Sequence, residues 1–99
     1  MTKRDFLKSY REAEKQISLE RAKGGGCLEE IARLEKQQAE VLAAIETAPR
    51  PIMRAALAAH FVNGMHWSRV AYALGYGEDN MYKLLNAALK DMTFPAGVE

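Results

Sequence analysis

"HWSRVAYALGYGEDNMYKLLNAAL", residues His66 to Leu89, carries two helical patterns on either side of a glycine. Trp67, Val70, Ala71 and Leu74 are spaced 3, 1, 3 and fall on one helical face. Gly75 stands where the chain must turn through a left-handed conformation, and Tyr76 is placed to pack back as an apolar plug. Met81, Leu84, Leu85, Ala88, Leu89 and Met92 then recur at i, i+3, i+4, i+7, i+8 and i+11, the inward face of a helix over about 78–92. Asp79, Tyr82, Lys83, Asn86, Ala87 and Lys90 fall outside that face, with Asn80 at its margin.

Working upstream, Asn63-Gly64 is a stop signal, and Pro51 suits the first turn of a helix running to about Asn63. Met53, Ala56, Leu57 and Phe61 give that helix its inner face. Two short helices around a glycine turn, braced by a preceding helix, are the parts of a helix-turn-helix. Pro49 and Pro51 in "TAPRP" (47–51) place a boundary ahead of it, because neither continues a helix comfortably.

Before that boundary the pattern is different. Residues 3–23 lack Gly and Pro, and Phe6, Tyr10, Ala13 and Ile17 are spaced 4, 3, 4. Thr2 can cap this helix, with Asp5 in its first turn. Gly24, Gly25 and Gly26 break it and supply a reversal. Leu28, Ile31, Leu34, Gln38, Val41 and Ile45 then form a heptad-like seam with one polar interruption. The sequence therefore predicts an all-α fold in three parts. Residues 1–47 form an antiparallel helical hairpin, 48–94 a three-helix helix-turn-helix unit, and 95–99 a tail. Each seam is narrow, so one hairpin is expected to leave apolar surface exposed and to self-associate through these helices as a dimer.

Composition limits the partners. The chain has 99 residues, 48% of them hydrophobic, and a net charge of +1. Residues 1–47 carry nine basic and nine acidic side chains, and 48–99 carry five and four, so neither half is a polybasic arm. Cys27 is the single cysteine, which excludes an intrachain disulfide and a paired-cysteine metal motif. The N-terminus lacks the apolar core of a signal peptide, and no apolar run approaches the roughly 20 residues that span a bilayer. A reducing cytoplasm and no membrane partner are the expectation.

Each candidate for chemistry has a plainer explanation. His60 and His66 are six apart with no cysteine pair between them, so no metal site is expected. His66 occupies a cap position. Cys27 sits at a helix N-terminus, where a thiol can be activated, but no base stands near it in sequence. The lysine before the three glycines precedes rather than follows them, which excludes a phosphate loop. Trp67, Tyr76, Met53, Met81 and Met92 sit at core spacing. No catalytic residue and no cofactor are expected, and the protein is not read as an enzyme. The exposed stripe of the last helix remains. Asn80, Tyr82, Lys83, Asn86 and Lys90 offer groups that pair with bases or phosphates, and Ser68 and Arg69 lie where a first helix meets the DNA backbone. Glu78 and Asp79 suit the positive end of the helix dipole and oppose phosphate.

The wording of residues 51–89 also resembles a family. Pro51, Arg54, Leu57, Phe61-Val62, Asn63-Gly64, Trp67, Val70-Ala71, Leu74-Gly75-Tyr76, Tyr82, Leu84 and Ala88-Leu89 follow, without a gap, a pattern similar to the ArpU-like phage late transcription regulators. The same pattern is related to the region-four-like module of sigma factors. The resemblance covers less than half the chain. It departs from the pattern at Gly77, Asp79, Asn80 and Ala87 of the reading surface, and at Ser68 and Arg69. It implies a small phage or prophage regulator in a host bacterial cytoplasm, binding double-stranded DNA with its last helix. The alternative is a protein adaptor that keeps the scaffold without the basic face, docking on RNA polymerase or a phage packaging component.

Overall fold

Thr2 starts the first helix, its Oγ1 accepting the Asp5 N–H at 3.1 Å. In the computed structural model, which describes residues 1–24 and 27–99, this helix, α1, spans Lys3–Ala22. It is followed by α2 (Leu28–Glu46), α3 (Pro51–Leu57), α4 (Trp67–Leu74) and α5 (Glu78–Asp91). No strand occurs among the described residues, and the fold is all-α, a hairpin followed by a three-helix unit.

The contacts between α1 and α2 step in opposite directions along the two helices, as an antiparallel hairpin requires. Arg21 meets Glu35 at 3.8 Å, while Gln38 Nε2 donates to Glu14 Oε2 at 2.6 Å and to the Tyr10 carbonyl at 3.3 Å. The polar interruption Gln38 is thus buried with its amide partnered, which removes the penalty of desolvating it unpaired. Lys23 and Gly24, with φ +72°, end α1, and the rest of the glycine reversal (25–26) lies outside the described residues. At the distal end Ala13, Ile17, Ile31 and Leu34 make a small core of their own.

The sequence pattern for the seams needs correcting. Leu28 belongs to the predicted seam but is 81% exposed, because α1 ends at Ala22 and offers nothing to cover it. Leu7, outside the 4, 3, 4 pattern, is fully buried. Two faces of α1 are in use: one meets α2, and the adjoining one meets the C-terminal half. One core joins Phe6, Leu7, Val41, Ala44 and Ile45 of the hairpin to Leu57, Phe61, Leu85, Leu89 and Met92 beyond the prolines. The open seams expected of a single hairpin are therefore closed within one chain. Leu19, Leu28 and Leu42 are the large aliphatic side chains left exposed on these two helices.

The second core belongs to the three-helix unit: Met53, Ala56, Val70, Ala71, Met81 and Ala88. Pro51 opens α3 at its first turn, and Arg54 Nη1 donates to the Ala48 carbonyl at 2.6 Å, tying the start of the helix to the linker. The predicted helix to Asn63 changes character after Leu57. Residues Ala58–Val62 widen into a π-helical turn, with the Asn63 N–H bonded to the Ala58 carbonyl at 3.0 Å. The turn closes on Gly64, φ +76°. The C-terminal residues fold back beside the N-terminus: Phe94 sets its ring edge-on to Phe6 at 5.8 Å, and the Glu99 N–H reaches the Met1 carbonyl at 2.9 Å.

Candidate nucleic-acid interface

Local features define both ends of α4. His66 caps α4, its Nδ1 accepting from the Ser68 N–H at 3.3 Å, with the Ser68 hydroxyl 2.9 Å away. Trp67 then anchors the helix. Its ring stacks on His60 at 4.2 Å between centroids and meets Phe61 edge-on at 5.9 Å. The widened turn after α3 presents both of these partners. At the other end Gly75 adopts φ +76°, ψ +23°, and the chain closes in a Schellman arrangement. Its bonds run from Tyr76 N–H to the Ala71 carbonyl, 2.9 Å, and from Gly75 N–H to the Tyr72 carbonyl, 3.1 Å. Tyr76 packs back on the second core.

The surroundings of His60 disfavour its charged form. Burial pushes its pKa below the ordinary histidine value, against the Met65 carbonyl, which accepts from Nδ1 at 2.8 Å and favours the charged form. The positive charges of Lys8 and Arg11, and His66 when protonated, act in the same direction as burial.

On α5 the inward pattern is realised: Met81, Leu85, Ala88 and Leu89 are buried and Leu84 is half-buried. Asn80, Lys83, Ala87 and Lys90 are exposed, and Tyr82 is 39% exposed. Lys83 and Lys90 make no ion pair among the described residues. Gly77 precedes α5 without a side chain to cap it, and Glu78 and Asp79 occupy the first turn, where the positive end of the dipole favours carboxylates. Counting Lys83 and Lys90 against Glu78, Asp79 and Asp91 leaves α5 with a charge of −1. Arg69, exposed on α4, brings the pair of helices to zero.

Two of the residues read from the sequence are already engaged within the chain. Ser68 is half-buried and tied to His66, so its hydroxyl serves the start of α4. Asn86 accepts a hydrogen bond from the guanidinium of Arg4. Beside it Lys3 Nζ donates to the Leu89 carbonyl at 2.9 Å and lies 5.4 Å from the centre of the Phe94 ring. The first turn of α1 therefore borders the exposed flank of α5, a neighbour missing from the sequence-based site. The signal available in the sequence was the spacing of Arg4, Lys8, Arg11 and Lys15 (4, 3, 4), which puts four cations on one helical face. Among the described residues no group of three or more metal-binding side chains converges, and no helix is long and apolar enough to cross a membrane. Cys27 is exposed, with no side-chain capping bond.

No protein-family model, curated protein or solved structure matches the chain.

Proposed function

We propose that the protein is a small DNA-binding regulator that lays α5 in the major groove of a duplex and braces it with α4. The observation that carries this reading is the left-handed turn at Gly75 between a helix of 8 residues and one of 14 whose outer face is exposed along its length. An α-helix about 10–12 Å across fits a major groove about 12 Å wide. Asn80 is the candidate for pairing with adenine, Lys83 and Lys90 for guanine or phosphate, and Arg69 for the backbone. The similarity of residues 51–89 to the ArpU-like regulators supports a role in phage or prophage gene control. Self-association through the N-terminal helices would supply two reading helices, and the exposed Leu19, Leu28 and Leu42 are the residues available for it.

A second reading rests on the acidic leading edge. With Glu78, Asp79 and Asp91 the reading helix has a charge of −1, which suits an adaptor docking on RNA polymerase or a packaging component better than a polyanion. Selection from a random duplex pool at low salt separates the two. Enrichment of a defined site supports DNA reading. A pool that stays random, with no shift of any duplex, supports the adaptor.

A further inference from the structure

We infer that α1 is a phosphate-binding track, its outer face carrying a duplex backbone strand past the flank of α5. This rests on the DNA reading and names the surface that supplies the grip α5 lacks.

Arg4, Lys8, Arg11 and Lys15 lie on the face of α1 turned away from α2, and all four are exposed. Their spacing of 4, 3, 4 keeps them within one stripe of about 16 Å, at 1.5 Å per residue. None of them is in an ion pair with a carboxylate among the described residues. Of the other cations on the hairpin, Arg21, Lys23 and Arg33 are each paired with a glutamate, Lys3 is bonded to the Leu89 carbonyl, and Lys36 is exposed on α2 without an ion pair among the described residues. The even charge balance of residues 1–47 thus conceals a cluster: four unpaired cations share the outer face of α1, Lys36 stands alone on α2, and the paired ones lie toward the distal end. Glu12 is the acid bordering the stripe, and Asp5 lies farther round the helix.

The stripe is also placed correctly. Arg4 bonds to Asn86, so the track begins against the side of the proposed reading helix. Arg11 continues it over the turn ahead of α4, where its guanidinium covers Gly64. A β-carbon on that glycine would come within 2.6 Å of the guanidinium carbon. Lys8 and Arg11 line a surface cavity of about 200 Å³ with Glu12, His60, Phe61 and Gly64. A helix seated in a major groove has a phosphate strand along each flank, and the strand on the Asn86 side would meet this row of cations. The partner chemistry is a regularly spaced polyanion, one charge per 3.4 Å of axis on each strand.

The test is the salt dependence of fluorescence anisotropy on a random duplex for four proteins: wild type, Lys8→Gln/Arg11→Gln/Lys15→Gln, a control with equal charge loss (Arg21→Gln/Arg33→Gln/Lys36→Gln), and Lys83→Gln/Lys90→Gln. Circular dichroism confirms that each is folded, and Lys8→Arg/Arg11→Lys/Lys15→Arg reports on charge at unchanged positions. The expected result is a log–log slope flattened by about 2 to 3 in the α1 variant, restored by the charge-preserving one, and changed by less than 1 in the control. A wild type that binds duplex while the α1 variant and the control shift alike overturns the track and leaves the DNA reading standing. Loss confined to the α1 variant, with the α5 variant unaffected, supports the track and assigns the phosphate contacts to α1 rather than to Lys83 and Lys90. A wild type with no duplex affinity at low salt overturns both.

Discussion

The guanidinium of Arg4 donates a hydrogen bond to the side-chain oxygen of Asn86, across 82 residues of sequence, and joins the first turn of α1 to the exposed flank of α5. The two helices also share a buried core, to which α1 contributes Leu7 and α5 contributes Leu89. An exposed side-chain bond of this kind stabilises by about 1 kcal/mol or less, so its importance is positional. It engages the Asn86 side-chain oxygen within the chain and holds the Arg4 guanidinium against α5. Asn86→Ala is accordingly expected to lower the melting temperature slightly and to leave selectivity among duplex sequences unchanged, as measured by competition anisotropy.

Leu7 and Leu28 separate the two kinds of position on the hairpin. Leu7→Ala removes a fully buried side chain from the shared core and should destabilise by about 2–5 kcal/mol. Leu28→Ala changes a residue that is 81% exposed and should stay within about 0.5 kcal/mol of wild type. Urea unfolding of both variants checks this. Equal losses would mean that Leu28 is covered in solution by a second copy.

Trp67→Ala should cost about 3 kcal/mol, the lower end for a large aromatic because the ring is only half-buried. The loss follows from the stack on His60 and the edge contact with Phe61. Differential scanning calorimetry reads it directly. A variant that melts with wild type but loses duplex binding would reassign the indole to base stacking.

His60 gives the fold an acid-side pH dependence. Burial, opposed by the Met65 carbonyl and reinforced by the positive charges of Lys8 and Arg11 and of His66 when protonated, lowers its folded-state pKa. The unfolded chain then binds the proton first as pH falls through the ordinary histidine value of about 6.5. This contribution to stability is therefore present above that pH and is lost progressively as pH falls toward the folded pKa. Chemical denaturation between pH 7.5 and 5 should show wild type losing stability faster than His60→Gln. Parallel curves would remove His60 as the source.

Asp79 and Asn80 test the reading surface from opposite sides. Asp79→Arg removes a repulsion and adds a contact, so it should tighten binding to random duplex and steepen the salt slope by about 1 to 2. Asn80→Ala should weaken a selected site alone, by about 1–3 kcal/mol if the amide makes a two-point contact with adenine. Anisotropy titrations on random and selected duplexes distinguish these effects. If neither substitution changes either titration, α5 faces a protein.

Features that arise within a few residues were legible in the order of the residues alone. The cap at Thr2, the break at Gly24, the start at Pro51, the cap at His66 and the left-handed turn at Gly75 all follow from local backbone chemistry, and the structure has each. The inward and outward faces of α5 were legible because helical period alone sorts Met81, Leu85, Ala88 and Leu89 from Asn80, Lys83, Ala87 and Lys90. What depends on which faces meet came only with the packing of the helices. Period assigns α1 a single buried face, but Leu7 is buried because the C-terminal half packs on an adjoining one. Leu28 has the right period and lies in solvent because its partner helix has already ended. The widened turn at Ala58–Val62, which brings His60 and Phe61 onto Trp67, has no signature in residue type. The charge pattern was divided in the same way. Summed along the chain, the cations and carboxylates of residues 1–47 cancel, and only folding brings Arg4 to Asn86 and stands the unpaired basic face of α1 beside α5. Local propensity is written in neighbours along the chain, whereas contacts such as Arg4 with Asn86 or Leu7 with the C-terminal half join residues dozens of positions apart, whose meeting is set by packing of the whole core.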